Sequence, residues 1–231
     1  TLPEKPVAVK TIVTTEVCSK IAQDSGRELR NVLTGFKFIG EQIGLLEKEH
    51  AEDRYIFGFE ESYGYLAGSY VRDKDAVVAS MLICEMVAYY KSKGLSLVDA
   101  LSNLYDKYGY YYCSQKSFTC EGQAGMKQIA DIMKRLADNP PAEIGGLKVE
   151  RFNNLNKSES LDIESGKISV IDLPKSNVLC FYLADGSSLI VRPSGTEPKI
   201  KLYLSAVGSN DAEALKQRET LETAGTKLLG F

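Results

Sequence analysis

The sequence predicts an α/β domain followed by a smaller α+β domain. Three observations carry this. The first half alternates apolar strand-like runs with segments of helical spacing, the pattern of a sheet layered by helices. The second half holds short alternating runs, with the strongest hairpin signal of the chain at Asp185-Gly186. That half also holds two amphipathic stretches suited to covering one face of an antiparallel sheet.

In the first half, Val7 to Val13 reads as a buried strand, Ser19 to Asp24 as part of a helix, and Glu28 to Leu33 as a second short strand. Thr34-Gly35 turns the chain into a helical segment, Phe36 to Glu49, with Ile39, Ile43 and Leu46 on one face. Tyr55 to Phe59 is a third strand. Asp75 to Lys93 is apolar nearly all round, so a buried helix is expected, stopped by Gly94. Ser96 to Tyr105 repeats the helical pattern.

In the second half, Met126, Ile129, Ala130, Met133, Leu136 and Ala137 mark a helix ended by Asn139-Pro140-Pro141. Val178 to Ala184 and Ser188 to Val191 flank the hairpin turn, and Ile200, Leu202 and Leu204 alternate with polar partners. A last helix is expected from about Asp211 to Leu229. Ser, Gln, Lys and Thr interrupt the pattern between Cys113 and Cys120, placing the domains at 1–113 and 121–231 with a hinge linker over 114–120.

The chain has 231 residues, 44% hydrophobic and 26% charged, a globular composition. Its net charge of −3 gives no electrostatic reason to expect nucleic acid or an anionic membrane as partner. Five cysteines without a C-x-x-C pair read as reduced thiols of a cytoplasmic protein, with no zinc site or disulfide framework. The opening Thr-Leu-Pro-Glu-Lys-Pro lacks Met and any apolar signal region, and reads as the middle of a longer protein.

Three stretches stand out chemically. In "RPSGTEPKIKLYL", Arg192 ends an apolar strand and is followed by Ser194, Gly195 and Thr196. Pro, Ser and Gly make good turns, so a bare strand connection is one reading. The other is an anion clamp. Arg192 offers a fork of donors, the hydroxyls add more, Gly195 lets backbone N–H groups turn inward, and Lys201 brings a second charge.

In "FEESYGYL", Glu60 and Ser62 are two apart, so an extended backbone points both the same way. A carboxylate and a hydroxyl together could read neighbouring sugar hydroxyls; an exposed polar loop is the plainer alternative. Arg72 precedes the long helix, as an exposed charge or a second anion contact, and Asp73 or Asp75 could cap that helix. In "TGFKFI", Lys37 could serve as general acid or base, or be a surface lysine.

In this order and at these separations, "TGFKFI", "FEESYGYL" and "RPSGTEPKIKLYL" resemble the α-D-phosphohexomutases, the phosphoglucomutase and phosphomannomutase group. The resemblance spans the chain and covers the third and fourth domains of that family. It implies an α/β third domain and a small fourth domain of the TATA-box-binding-protein type. It implies sugar contacts at Glu60 and Ser62, phosphate contacts at Arg192, Ser194, Gly195, Thr196, Lys201 and Arg72, and proton transfer at Lys37. Phe59 stands where relatives often carry Gly. The family's phosphoserine loop and aspartate-rich metal loop belong to its first two domains and are absent here, so no metal ligand is expected in this chain. The Mg²⁺ and hexose bisphosphate activator that the resemblance implies belong to an intact enzyme. Such an enzyme interconverts hexose 1- and 6-phosphates, and this portion alone is expected to be inactive. A phosphosugar-binding module without catalysis, or a mutase for a glucosamine or pentose phosphate, are the alternative readings.

Overall fold

A computed structural model describes residues 2–195 and 197–231, and the chain divides into two compact units, 1–109 and 110–231. In the first unit, strands β1 (Val7–Thr11), β2 (Glu28–Val32), β3 (Tyr55–Glu60) and β4 (Gly64–Ala67) form a sheet in the order β2-β1-β3-β4. β1 pairs in parallel with β2 and β3, while β4 is antiparallel to β3. Helix α1 (Val17–Asp24) joins β1 to β2, and α2 (Phe36–Lys48) joins β2 to β3.

The two crossovers run in opposite directions across the sheet. Because such connections are right-handed, α1 and α2 take opposite faces. Strand periodicity agrees. Val7 and Val9 enter one core with Phe36, Ile39, Ile43 and Leu46 of α2, while Lys10, one residue on, points to the other face. The crevice at the carboxyl ends of β1 and β3 is therefore a topological switch point, the usual place for a ligand in an open α/β sheet.

Helices α3 (Ala76–Ser92) and α4 (Leu97–Tyr108) complete this unit. Asp75 is the cap of α3, accepting from the Val77 and Val78 amides at 2.7 and 3.1 Å. Ser96 and Asp99 form a capping box on α4. α3 departs from the burial its composition predicts: none of its residues is buried, with Val77 80% and Met81 55% exposed. Its apolar residues go all round because one side lies over β4 while the other is bare.

The second unit has α5 (Gly122–Asp138) and α6 (Asp211–Leu229) with strands β5 (Tyr110–Thr119), β6 (Glu143–Ile144), β7 (Leu147–Asn154), β8 (Glu159–Asp162), β9 (Ile168–Val170), β10 (Leu179–Leu183), β11 (Ser188–Pro193) and β12 (Lys199–Gly208). The main strand path is β5-β12-β11-β10-β7-β8-β9, with antiparallel pairings throughout and β6 on β7. Phe181, Leu189, Val191, Ile200, Leu202 and Leu204 project from one face against Ile129, Met133 and Leu136 of α5 and Leu221 and Leu229 of α6.

The expected linker over 114–120 is corrected here. Cys113 to Thr119 is the second part of β5, paired residue by residue with β12 from Tyr110↔Gly208 to Thr119↔Lys199. A polar stretch that alternates between a solvent face and a helix-covered face is an edge strand, and the boundary falls at Gly109, whose φ of +98° ends α4.

None of the five cysteines is in a disulfide, and their environments differ. Cys180 is buried, and burial pushes its thiol up to about 12. Cys84 and Cys113 are exposed, while Cys120 is buried. Iodoacetamide at pH 8 is expected to label Cys84 and Cys113 and to spare Cys120 and Cys180, read by peptide mass spectrometry. Labelling of Cys180 in the folded chain would contradict this packing.

Candidate active site

The carboxyl edge of the first sheet gathers two of the three stretches singled out above, "TGFKFI" and "FEESYGYL". The end of β1, the turn from β2 into α2 and the end of β3 all open there. β3 and β4 form a hairpin closed at Glu60↔Gly64, with Glu61, Ser62 and Tyr63 as its loop and Tyr63 at a φ of 59°. The Ser62 hydroxyl donates to Glu60 Oε1 at 2.9 Å. The pair therefore meets as expected, but by way of a turn and not along an extended strand. A Cβ at position 64 would lie 2.9 Å from Glu60 Cγ and 3.0 Å from Phe36 Cδ2. Glu60 thus lies over Gly64 and against the first residue of α2. Gly64→Ala should push Glu60 away and cost about 1–3 kcal/mol, measured by thermal unfolding; a variant as stable as the parent would show that the carboxylate is not held there.

Lys37 is the second residue of α2 and is exposed, its Nζ 4.8 Å from the Phe38 ring centroid. It shares the edge with Glu60 through Phe36. Arg72 is differently engaged: its guanidinium pairs with Glu47 and donates to the Ser69 carbonyl at 2.5 Å. Gly40 permits this approach, since a Cβ there would strike the Arg72 carbonyl.

Sequence reasoning missed a buried charge at this edge. The Lys10 side chain has 0% exposure, and its ammonium donates to Glu16 Oε1 at 2.8 Å and to the Thr14 carbonyl at 3.1 Å. Ser19 Oγ donates to the second Glu16 oxygen at 2.5 Å, and the Thr11 and Thr14 hydroxyls lie 3.0 Å apart. A lysine is buried only when its charge is matched. A lysine inside the apolar run Val-Ala-Val-Lys-Thr was the signal that could have found it.

In the second unit, β11 and β12 are joined by the predicted loop. Ser194 N donates to the Lys199 carbonyl at 2.7 Å, and Glu197 N to Ser194 Oγ at 3.3 Å. Register sets Arg192 directly opposite Lys201. Both alternate with the core residues Val191, Ile200 and Leu202, so both stand on the sheet face away from the helices. Like charges directly opposite across strands are destabilising unless something negative joins them. On the helix side, a hollow of about 390 Å³ lies behind the loop, lined by Pro193, Ser194, Gly195 and Pro198 with Met126 and Ile129 of α5. Glu197 and Lys199 also line it, whereas Arg192 and Lys201 do not.

Gly195 differs from expectation in one respect. Its φ is outside the left-handed region, and a Cβ there would meet nothing within 4 Å. The turn does not need glycine for its conformation. Thr196, the fourth predicted loop contact, lies outside the described residues.

Among the described residues no group of three or more His, Cys, Asp or Glu could hold a metal ion, and no helix is long and apolar enough to cross a membrane. The Mg²⁺ implied by the resemblance therefore has no such donor set among the described residues.

The first unit thus carries a carboxylate–hydroxyl pair at a switch-point crevice, and the second carries two opposed cations beside a turn. The comparisons place it among known proteins. Residues 1–108 match the family model "Phosphoglucomutase/phosphomannomutase, alpha/beta/alpha domain III", and residues 120–222 match "Phosphoglucomutase/phosphomannomutase, C-terminal domain". Phosphoglucomutases of Staphylococcus aureus strains MRSA252 and bovine RF122 / ET3-1 are each 42% identical over 197 residues, covering 85% of this chain and 35% of the relative. Among solved structures, the open form of pp63/parafusin, a phosphoglucomutase from Paramecium, aligns with a TM-score of 0.66 at 20% identity, covering 96% of this chain and 37% of that one. A phosphoglucomutase/phosphomannomutase family protein from Burkholderia thailandensis aligns at 0.57 and 12% identity, covering 97% and 38%. These two alignments concern the fold. The chain belongs to the phosphoglucomutase/phosphomannomutase family and corresponds to the C-terminal half of an α-D-phosphohexomutase, spanning about a third of the length of the curated relatives it matches.

Proposed function

We propose that this chain is the sugar- and phosphate-recognising portion of a mutase that interconverts hexose 1-phosphate and hexose 6-phosphate by way of a bisphosphate. The observation that carries the reading is the Arg192–Lys201 opposition beside a hydroxyl-bearing loop. In this reading a phosphoserine and Mg²⁺, both supplied by other domains, provide the phosphoryl-transfer chemistry, and a hexose bisphosphate serves as activator.

The residues present would bind and orient. Arg192 and Lys201 hold the phosphate that is not reacting, with Ser194, Gly195 and Thr196 adding loop donors. Glu60 accepts from sugar hydroxyls, and Ser62, already turned toward Glu60, can donate to the ring or accept from it. Lys37, at the start of α2 on the same edge, would hold or deliver a proton. Arg72 would reach a phosphate only after leaving Glu47, so its role is conditional on that exchange. Positioning and charge stabilisation carry most of the catalysis in phosphoryl transfer, so a portion that only positions can still govern rate and specificity. The protein would act in the cytoplasm on a small phosphosugar, with no nucleic-acid or membrane partner.

The test is calorimetric binding of glucose 6-phosphate, glucose and inorganic phosphate to this chain, with an assay of glucose 1-phosphate turnover in the presence of Mg²⁺ and glucose 1,6-bisphosphate. The expected result is binding of glucose 6-phosphate and phosphate, none of glucose, and no turnover. Turnover by the purified chain, or binding of glucose equal to that of its phosphate, would overturn the reading.

A further inference from the structure

A phosphate held beside the turn from β11 to β12 needs several donors converging on it, and the turn itself has few to give. The Ser194 amide donates to the Lys199 carbonyl at 2.7 Å, the Glu197 amide to Ser194 Oγ at 3.3 Å, and the Lys199 amide to the Glu197 carbonyl at 2.7 Å. Pro193 and Pro198 have no amide hydrogen. Among the described residues from 193 to 199, only the Gly195 amide is left without an acceptor in the loop.

The sheet supplies more. Ladder register lines up three residues on adjacent strands: Arg192 of β11 lies opposite Lys201 of β12, and Lys201 lies opposite Ser117 of β5. Ile200, Leu202 and Phe118, their neighbours along the strands, pack into the core under the helices. Ser117 therefore stands on the same outer face as the two cations. Neighbouring strands are about 5 Å apart, so Ser117 and Lys201 are immediate neighbours. Among the described residues Lys201 has no ion-pair partner, and Glu197 is paired instead with Lys199 at 2.9 Å. Ser117 is exposed, and its Oγ accepts from Gln115 Nε2 at 3.4 Å. A hydroxyl that accepts from an amide keeps its own proton to donate, and among the described residues that proton has no acceptor.

We infer that Ser117 of β5 is a further phosphate-binding residue, donating its hydroxyl to the anion that Arg192 and Lys201 hold. This rests on the reading of Arg192 and Lys201 as the phosphate-holding pair. All three groups are donors and every phosphate oxygen accepts, so the row suits an oxyanion lying over Lys201 with a donor on either side. The two faces of β5 then have different tasks. Lys116 points toward α6 and pairs with Glu222 at 2.7 Å, while Ser117 meets ligand on the other face. The site spans three strands and reaches a residue about 75 positions before the loop in sequence, which no motif around Arg192 contains.

The test titrates inorganic phosphate into this chain, parent and three variants: Ser117→Ala, Ser117→Thr and, as a control on the same face of β12 two rows along, Ser205→Ala. Affinity is read by calorimetry, and ¹⁵N shifts are followed at Ser117 and Lys201. Ser117→Ala should weaken phosphate about three- to tenfold, the size of one net hydrogen bond. Ser117→Thr keeps the hydroxyl and should bind as the parent does, as should Ser205→Ala. Ser117 is exposed, so both of its variants should melt with the parent. The parent should show a saturable shift of the Ser117 amide together with that of Lys201. If Ser117→Ala binds phosphate as tightly as the parent while Arg192→Ala loses it, the inference is overturned and the reading of the loop stands. A Thr variant no better than Ala would overturn it as well. If the parent itself binds no phosphate, the reading of the loop fails and the role of Ser117 fails with it.

Discussion

Arg192→Ala is expected to weaken binding of inorganic phosphate and of glucose 6-phosphate by about one to two powers of ten, with the melting temperature nearly unchanged. A charge-assisted hydrogen bond contributes roughly 1.5–3 kcal/mol, and about 1.4 kcal/mol is a factor of ten. The small stability effect follows from position. Arg192 faces Lys201 across the β11–β12 ladder, and the Glu197 carboxylate feels the Lys201 charge, so removing one cation shifts the local balance by roughly a few tenths of a kcal/mol. A residue kept for the fold would behave in the reverse manner: binding intact, stability lost. Calorimetric titration and a thermal melt of the same two samples separate these outcomes.

The second large effect is in the buried charge of the first unit. Glu16→Ala should destabilise by about 2 kcal/mol. Breaking a fully buried ion pair costs about 3–5 kcal/mol, and the Glu16 side chain, 43% exposed, lets water replace part of what is lost. Lys10→Met should cost less. It leaves Glu16, which reaches solvent, whereas Glu16→Ala leaves an ammonium that does not. Guanidinium unfolding of both variants gives the order. A larger loss for Lys10→Met would mean that the lysine itself stabilises this edge of the sheet.

The elements that the sequence showed best are those whose local chemistry agrees with their packing. The last helix, capped by Asn210 through the Glu213 amide, starts and ends where its spacing places it. The hairpin around Asp185-Gly186 forms because Gly186 takes a φ of +85°. Arg192 and Lys201 were legible as chemistry, but their direct opposition required the ladder register. β5 was hidden because Ser114, Gln115, Lys116 and Ser117 are polar on both faces, and only pairing with β12 makes them a strand. α3 misled because an all-apolar circumference reads as burial, while burial depends on what lies alongside. Lys10 was passed over as a strand residue because its partners, Thr14 and Glu16, become neighbours only once the chain turns after β1.

The central claim is that the loop after β11 binds phosphate. It is tested most directly by titrating inorganic phosphate into ¹⁵N-labelled chain, parent and Arg192→Ala, with Glu60→Ala as the control in the other unit. The account predicts saturable shifts at the amides of Arg192, Ser194, Gly195 and Lys201 in the parent, their loss in Arg192→Ala, and their retention in Glu60→Ala. Amides between Arg192 and Lys201 that do not respond to phosphate would contradict it, and the loop would then be only a turn between two strands.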